Sequence, residues 1–483
     1  MSAAAHTERS ERMSRVDTAW LRMDTDANLM MIIGVWLITP RLSLADLSQR
    51  AHSGLLVYPR FRQKVVEDAI GANWVDDTAF DIGRHVQREP LRRRKGEKPL
   101  DALKRRVAEL AATPLDPSRP RWHFLLIEDL DNEQSAMVSR IHHCIGDGIA
   151  LTSVILSITD GGKAPPQRQH HEASAHDDGS DWLTDAVIKP VVDLASKAIG
   201  MAGKGVGKSK EFLAEPGQPL AGSLEVARVA QQILSDVAAF ALMPDDSHTR
   251  LKGHATPGKR VAWGEPIPLD QVKAVSKVLD ASINDVLLSC VAGAIGDYLR
   301  SKGDDPRGQE IRAMVPVNLR PLEEAYKLGN RFGLVPLVLP IGIANPIARL
   351  IAVRARMAEL KGSYQPLLAF GILALSGLMV KPVQSAITGM FAKKATAVMT
   401  NVPGPKEPIR ICGRTVRQAM FWVPQSGDIG MGVSILSYAG GVQFGLITDA
   451  KMCPDPEAII ERFAPEFEKL LWLALMAPWP AQK

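Results

Sequence analysis

Two adjacent histidines stand a fixed distance ahead of an aspartate and a glycine in His142-His143-Cys144-Ile145-Gly146-Asp147-Gly148. A neutral imidazole, with an ordinary pKa of about 6.5, can accept a proton from a hydroxyl at neutral pH. The oxygen so activated can attack a thioester carbonyl directly, and no covalent acyl-enzyme is needed. The chain has no GxSxG run that would argue for a serine nucleophile. His143 is therefore the candidate base and His142 its support. Asp147 is read as orienting the turn by pairing with an arginine, and Gly146 and Gly148 as relieving backbone strain there. Cys144 reads as a small buried filler, because nothing nearby marks it as a thiolate.

A base must be held to within a fraction of an ångström, so the elements around it matter. Residues 123–128 and 135–141 are short β-rich runs separated by a polar turn, and they read as a hairpin leading into the two histidines. Residues 151–158 resume an apolar helical spacing. The motif therefore sits at a strand-to-helix corner. Residues 29–39 read as a buried strand, with Ser43 as the N-cap of the helix that follows. All eleven histidines lie at or before His254, and His170 and His171 fall in a polar linker where no rigid shell could orient them.

The chain has 483 residues, too many for one small core and suited to two domains. Composition changes near residue 160, where a polar stretch rich in Pro and Gly begins. The expected organisation is a first lobe over 1–160, a linker and helical crossover over 161–255, and a second lobe over 256–483. Strands are expected at 260–263, 311–317, 333–339, 395–400, 416–424, 431–438 and 441–447, and helices at 269–279 and 282–301. Strands interleaved with helices in both halves define an α/β (α+β) class. The Gly-rich run near Lys204 lacks the first glycine of a phosphate-binding loop and is not read as one.

The formal charge is +5, and the basic excess is local, as in Arg92-Arg93-Arg94-Lys95. No aromatic interleaving accompanies it, so nucleic acid is not an expected partner. The four cysteines are scattered without a CxxC pair, so neither a metal nor a disulfide framework is expected. The N-terminus lacks the apolar core of a secretory signal. Residues 366–380 form the longest apolar stretch and are shorter than a membrane span. They read as a buried helix or as a surface element dipping into lipid.

Several ordered blocks give a family resemblance. HHCIGDG resembles the HHxxxDG motif of the chloramphenicol acetyltransferase-like and condensation-domain superfamily. Pro114-Leu115-Asp116-Pro117-Ser118-Arg119-Pro120-Arg121-Trp122 resembles the PLDxxRPLW block of the bacterial wax ester synthase/diacylglycerol acyltransferase family, with Arg121 in place of Leu. Ser282-Ile283-Asn284-Asp285-Val286-Leu287-Leu288 resembles its NDVxLA block. Val315 to Arg320, Gly329-Asn330, Asn401-Val402-Pro403-Gly404-Pro405 and the opening Val16 to Leu21 follow the same pattern. The opening carries Trp20 where the family has Phe.

The resemblance implies two chloramphenicol acetyltransferase-like lobes forming a pseudo-dimer, with a substrate tunnel between them. It implies transfer of a long-chain acyl group from acyl-CoA, as co-substrate and without other cofactor, to diacylglycerol or a fatty alcohol. His143 would be the general base, His142 its support, and Asp147 a structural residue paired with Arg320. Gly148, Asn284 and Asp285 are the candidate substrate-binding positions, with helix capping an equal reading of the last two. Arg320, Asn401, Pro403 and Gly404 are candidate structural residues. The expected location is the cytoplasm, with the inner membrane or lipid droplets as a peripheral site. Three other readings stay open: a condensation-type enzyme with another hydroxyl or an amine as acceptor, a thioester hydrolase, and a non-catalytic lipid-binding or droplet protein.

Overall fold

A computed structural model describes residues 10–68, 71–131, 133–162, 243–319, 328–361, 365–376 and 381–477. In the first half, strands β1 (Ser10–Arg12), β2 (Met31–Thr39), β3 (Gln63–Asp68), β4 (Gly71–Asp76), β5 (Val86–Arg88), β6 (Trp122–Asp131) and β7 (Gln134–His142) alternate with helices α1 (Arg15–Arg22), α2 (Leu44–Arg50), α3 (Pro99–Ala111) and α4 (Gly148–Ser157). Ser14, Ser43 and Asp147 cap α1, α2 and α4 with side-chain oxygens, as expected where a short polar residue precedes an apolar helical run.

The second half supplies β8 (Lys259–Trp263), β9 (Ile267–Pro268), α5 (Leu269–Val278), α6 (Ile283–Ser301), β10 (Ile311–Asn318), β11 (Phe332–Leu339), α7 (Pro346–Lys361), α8 (Gln365–Ser376) and α9 (Lys381–Lys393). It ends with β12 (Ala397–Pro403), β13 (Arg410–Ile411), β14 (Arg414–Trp422), β15 (Met431–Tyr438), β16 (Gly441–Asp449) and α10 (Glu457–Met476). The expected strands and helices outside the linker are present. The linker reading over 163–242 lies outside the described residues.

Two large mixed sheets carry the lobes. The first runs β13-β14-β2-β7-β6-β5 and the second β11-β10-β12-β15-β16-β8, with β9 beside β16. The lobes therefore do not follow the boundary expected at residue 256. β13 and β14 come from the second half of the chain but join the first sheet, where β14 pairs antiparallel with β2. The reason is visible in their side chains: Val416 and Ala419 join the core of the first lobe, while Met420 and Trp422 pack with Val261, Trp263 and Ile447 of the second. One face of the strand thus joins the first core, and the other lies where residues of β2, α3, β6 and β7 meet Val261, Trp263 and Ile447 of the second lobe.

The second lobe has its own buried ion pair. Arg349 on α7 meets Glu466 on α10, each 1% exposed, and donates from Nε to the Ser289 carbonyl at 2.9 Å. Gly293 on α6 makes room, since a Cβ there would lie 2.6 Å from the Arg349 guanidinium. Removing one member of such a pair leaves a buried charge without its main partner. Arg349→Met is expected to lower unfolding free energy by about 3 kcal/mol. Arg349→Met combined with Glu466→Gln should recover most of it. Urea midpoints of the three proteins check this, and an unshifted single variant would refute it.

Candidate active site

β7 ends at His142, paired with Met31 at the start of β2, and the chain turns there. The His142 ring is locked at both nitrogens. Its Nε2 lies 3.0 Å from Asp24 Oδ2, and its Nδ1 accepts the Cys144 N–H at 3.1 Å. An Nδ1 that accepts cannot carry a proton, so His142 is the Nε2–H tautomer and donates to Asp24. Asp24 also accepts the Met30 N–H at 2.6 Å. Although burial pushes the Asp24 acid up, the bonds from His142 and Met30 outweigh it and hold the group below the usual carboxylate range. His142 is thus a brace and not a second base.

The His143 ring is buried between aromatic faces. Trp20 of α1 stacks on it with centroids 4.1 Å apart, and Phe332 at the start of β11 lies 5.5 Å away. Burial, and then the adjacent His142, push the imidazole pKa down to about 3. The ring is therefore neutral at physiological pH, the form a base needs. Its Nδ1 is sealed from solvent without a hydrogen-bond partner. Nε2 is the other ring nitrogen, and it is the candidate to face a substrate.

The backbone of His143 is held from both sides. Its N–H donates to the Met30 carbonyl at 2.7 Å, and its carbonyl accepts from Asn330 Nδ2 at 2.8 Å. Asn330 Nδ2 also donates to Asp17 Oδ1 at 2.7 Å, and the Asn330 backbone N–H reaches the same oxygen at 3.2 Å. Burial raises the Asp17 acid to about 6 even with these donors. Asp17 and Trp20 are three residues apart on α1, and so share one face of that helix. One short helix from the first lobe and one asparagine from the second together grip the base.

Asp147 ties the same turn to the second lobe. Its Oδ1 accepts the Ala150 N–H at 2.9 Å as the N-cap of α4, and its Oδ2 accepts the Arg331 N–H at 3.0 Å. A parallel bridge between Gly146 and Gly329 runs alongside. The expected partner Arg320 lies outside the described residues.

The glycines of the motif need a different explanation from the one expected. Neither Gly146 nor Gly148 has a positive φ, so backbone strain is not the reason for them. A Cβ on Gly148 would meet nothing within 4 Å. The protein itself does not require a glycine there, and its effect is to leave space open.

That space belongs to an apolar cavity between the lobes. Gly148 lines it together with Gly34 of β2, Val402, Gly404 and Leu436. Gly404 donates its N–H to the Ser437 carbonyl at 2.8 Å, and a Cβ there would lie 2.6 Å from that oxygen, so no larger residue fits the turn. Asn401 and Pro403 lie in β12, paired with Ile435 and Ser437. Asp285 is the acidic partner of Ser282 in a capping box that starts α6. Asn284 Oδ1 accepts from Asn401 Nδ2 at 2.8 Å. Capping is the reading of Asp285 that its bonds support.

Residues 366–376 lie in α8, which packs Phe370 and Leu373 against Val16, Trp20, Met30 and Phe332. This apolar stretch therefore backs the active-site wall. Cys144 is fully buried and its thiol is pushed up by burial, so it is not a nucleophile. No cluster of metal-ligating side chains occurs among the described residues. The sequence did not single out Asp17, Asp24 or Phe332, and it gave Trp20 and Asn330 no task. The three-residue spacing of Asp17 and Trp20 was the available signal.

Two α/β lobes with an HHxxxDG histidine at their seam define an acyltransferase of the condensation-like fold. The chain belongs to the wax ester synthase/diacylglycerol acyltransferase family: the catalytic-domain model of that family matches residues 13–287 and its C-terminal-domain model residues 328–471. A probable diacylglycerol O-acyltransferase of Mycobacterium tuberculosis is 29% identical over 455 residues, covering 92% of each chain. The fold matches the wax ester synthase/diacylglycerol acyltransferase from Marinobacter aquaeolei VT8 with a TM-score of 0.63 at 18% identity, over 96% of this chain and 100% of that one. It matches the first condensation domain of the CDA synthetase with a TM-score of 0.56 at 14% identity, over 98% and 97% of the two chains.

Proposed function

We propose that this acyltransferase moves a long-chain acyl group from acyl-CoA to the hydroxyl of diacylglycerol, with fatty alcohol as a second acceptor. The observation that carries the reading is the neutral, buried imidazole of His143, held at the lobe seam by Met30 and Asn330, in a motif whose Gly148 lines an apolar cavity. The activity named for the mycobacterial relative supports diacylglycerol as acceptor.

In this mechanism Nε2 takes the acceptor's hydroxyl proton as its oxygen attacks the thioester carbonyl. A base with so low a pKa gains little from accepting a proton alone. The oxyanion that forms beside it stabilises the imidazolium, so proton transfer and C–O bond formation proceed together. The tetrahedral centre then expels the CoA thiolate, and the imidazolium returns its proton to that sulfur. His142 and Asp147 position the base. Gly148 leaves room for the substrate.

The test is release of CoA thiol from palmitoyl-CoA with dioleoylglycerol, with hexadecanol or with no acceptor. Acceptor-dependent release that His143→Ala abolishes supports the reading. Release without acceptor would make the chain a thioesterase, and no release under any of these conditions would count against the reading.

No single helix among the described residues is long and apolar enough to cross a membrane. Peripheral attachment is the reading we favour, because Trp472, Leu475 and Met476 stand exposed at the end of α10. Replacing all three with serine should reduce co-sedimentation with phosphatidylcholine vesicles, and unchanged co-sedimentation would remove this surface from consideration.

A further inference from the structure

The short segment between α1 and β2 supplies a partner to each motif histidine. Asp24 holds the His142 ring, and the Met30 carbonyl accepts the His143 N–H. The segment is folded on itself. Thr25 and Asn28 exchange backbone bonds of 3.1 Å in both directions, and Asp24 Oδ1 accepts the Met30 N–H. The placement of both histidines therefore depends on what anchors this loop. Asn28, within it, is 1% exposed, and its amide reaches across to the second half of the chain. Nδ2 donates to the Gly427 carbonyl at 2.6 Å, in the turn between β14 and β15. Oδ1 accepts from Lys259 Nζ at 2.7 Å, at the start of β8.

Lys259 is itself buried. Its ammonium donates to the Asn28 amide oxygen and, at 3.4 Å, to the Thr256 carbonyl, and no carboxylate pairs with it among the described residues. Asp449 stands opposite it on β16. That carboxylate already accepts the N–H and hydroxyl of Thr256 and the N–H groups of Lys451 and Met452. Burial pushes the ammonium down to about 8 against the pull of Asp449. A buried ammonium without a counter-ion is costly, and a methionine would fill the space without that cost. What the charge adds is a stronger grip on Asn28, because an ionised donor binds an amide oxygen more tightly than a neutral one does.

We infer that Lys259 is a positioning residue: through the Asn28 amide it ties the loop that holds both motif histidines to the second lobe. The contacts run from Lys259 Nζ to Asn28 Oδ1, along two residues of backbone to the Met30 carbonyl, and from there to the His143 N–H at 2.7 Å. The lysine holds, and proton transfer stays with His143. The expected effect on rate rests on the acyl-transfer reading, whereas the effect on the loop does not.

The test is a double-mutant cycle of Lys259→Met and Asn28→Ala, read as kcat and KM for CoA release from palmitoyl-CoA with dioleoylglycerol. A base misplaced by about 1 Å loses on the order of 10² in rate. Asn28→Ala removes both bonds of the amide and should lower kcat by about that factor. Lys259→Met removes one of the two and should lower kcat by about tenfold, with KM unchanged. Adding Lys259→Met to Asn28→Ala should cost nothing further, because the lysine then has no amide to act on. Losses that multiply in the double variant would make Lys259 a prop of the second lobe and overturn the inference. Amide hydrogen exchange gives a readout independent of activity. In Lys259→Met the His143 N–H should exchange faster while the amides of β15 keep their wild-type rates. An equal rise in both would mean general loosening and would also overturn it. If Lys259→Met fails to fold, Lys259→Gln takes its place in the cycle, with an uncharged donor one atom short of Asn28. Wild-type kcat together with wild-type exchange at His143 overturns the inference and leaves acyl transfer standing. A wild type that transfers no acyl group overturns the acyl-transfer reading, and the exchange rates then decide the role of Lys259.

Discussion

His143→Ala is expected to lower kcat for acyl transfer by about 10³-fold, the middle of the range for loss of a positioned general base. KM should change little, because the ring touches the reacting hydroxyl and not the long apolar parts of either substrate. His143→Gln separates chemistry from packing. It keeps a planar group against Trp20 and Phe332, which lie 4.1 and 5.5 Å from the imidazole centroid, but it cannot accept and return a proton. Activity equal to wild type in either variant would refute His143 as the base.

The same residue has a signature in stability. Its pKa is about 3 in the folded protein against about 6.5 in an unfolded chain. Between those values the unfolded chain binds the extra proton, so stability is full above the upper value and falls as pH drops toward the lower one. The slope is up to about 1.4 kcal/mol per pH unit. His143→Gln removes that proton from the balance. Its unfolding free energy should therefore fall less steeply below pH ~6.5 than that of the wild type. Parallel slopes would mean that the imidazole is not held neutral by burial.

Local patterns made much of the fold legible. Ser43 before an apolar helical run, Ser282 three residues ahead of Asp285, and β-rich segments of alternating burial each announce their element within a short window. The corner that carries His143 was legible for the same reason, since a hairpin and a helix flank it in sequence. What no local window contains is the set of long-range partners. Asp24 lies 118 residues from His142 and Asn330 lies 187 from His143. Each contact depends on where the lobes dock. β14 was readable as a strand, but its membership of the first sheet was not, because either lobe could bury an alternating apolar strand. Gly148 was named both as a turn residue and as a substrate-binding position, since a sequence gives no means of telling a glycine that relieves strain from one that lines a cavity.

Asn330→Ala is the substitution expected to damage the site most without touching the base. The amide serves two buried acceptors at once, the His143 carbonyl and Asp17 Oδ1. Alanine keeps the backbone N–H to Asp17 but deprives both acceptors of the side-chain donor. Unsatisfied buried acceptors, one of them a carboxylate, should cost about 3 kcal/mol of stability. The free carbonyl also releases one of the two backbone anchors of His143. A base displaced by about 1 Å loses on the order of 10² in rate, so kcat measured on the folded fraction should drop by that factor. A purely structural asparagine would lose stability while keeping kcat. Asn330→Asp gives a second, opposite-signed readout. It sets a carboxylate beside Asp17, whose own acid burial has already raised to about 6. Two buried carboxylates in contact share one proton, so the folded variant binds more protons than its unfolded chain. The shared proton is taken up at a higher pH than the single Asp17 proton of the wild type, so the variant should gain stability relative to the wild type as pH falls from neutral toward 6. An Asn330→Asp protein whose stability and activity follow the wild-type pH course would show that the amide does not bridge Asp17 to the base.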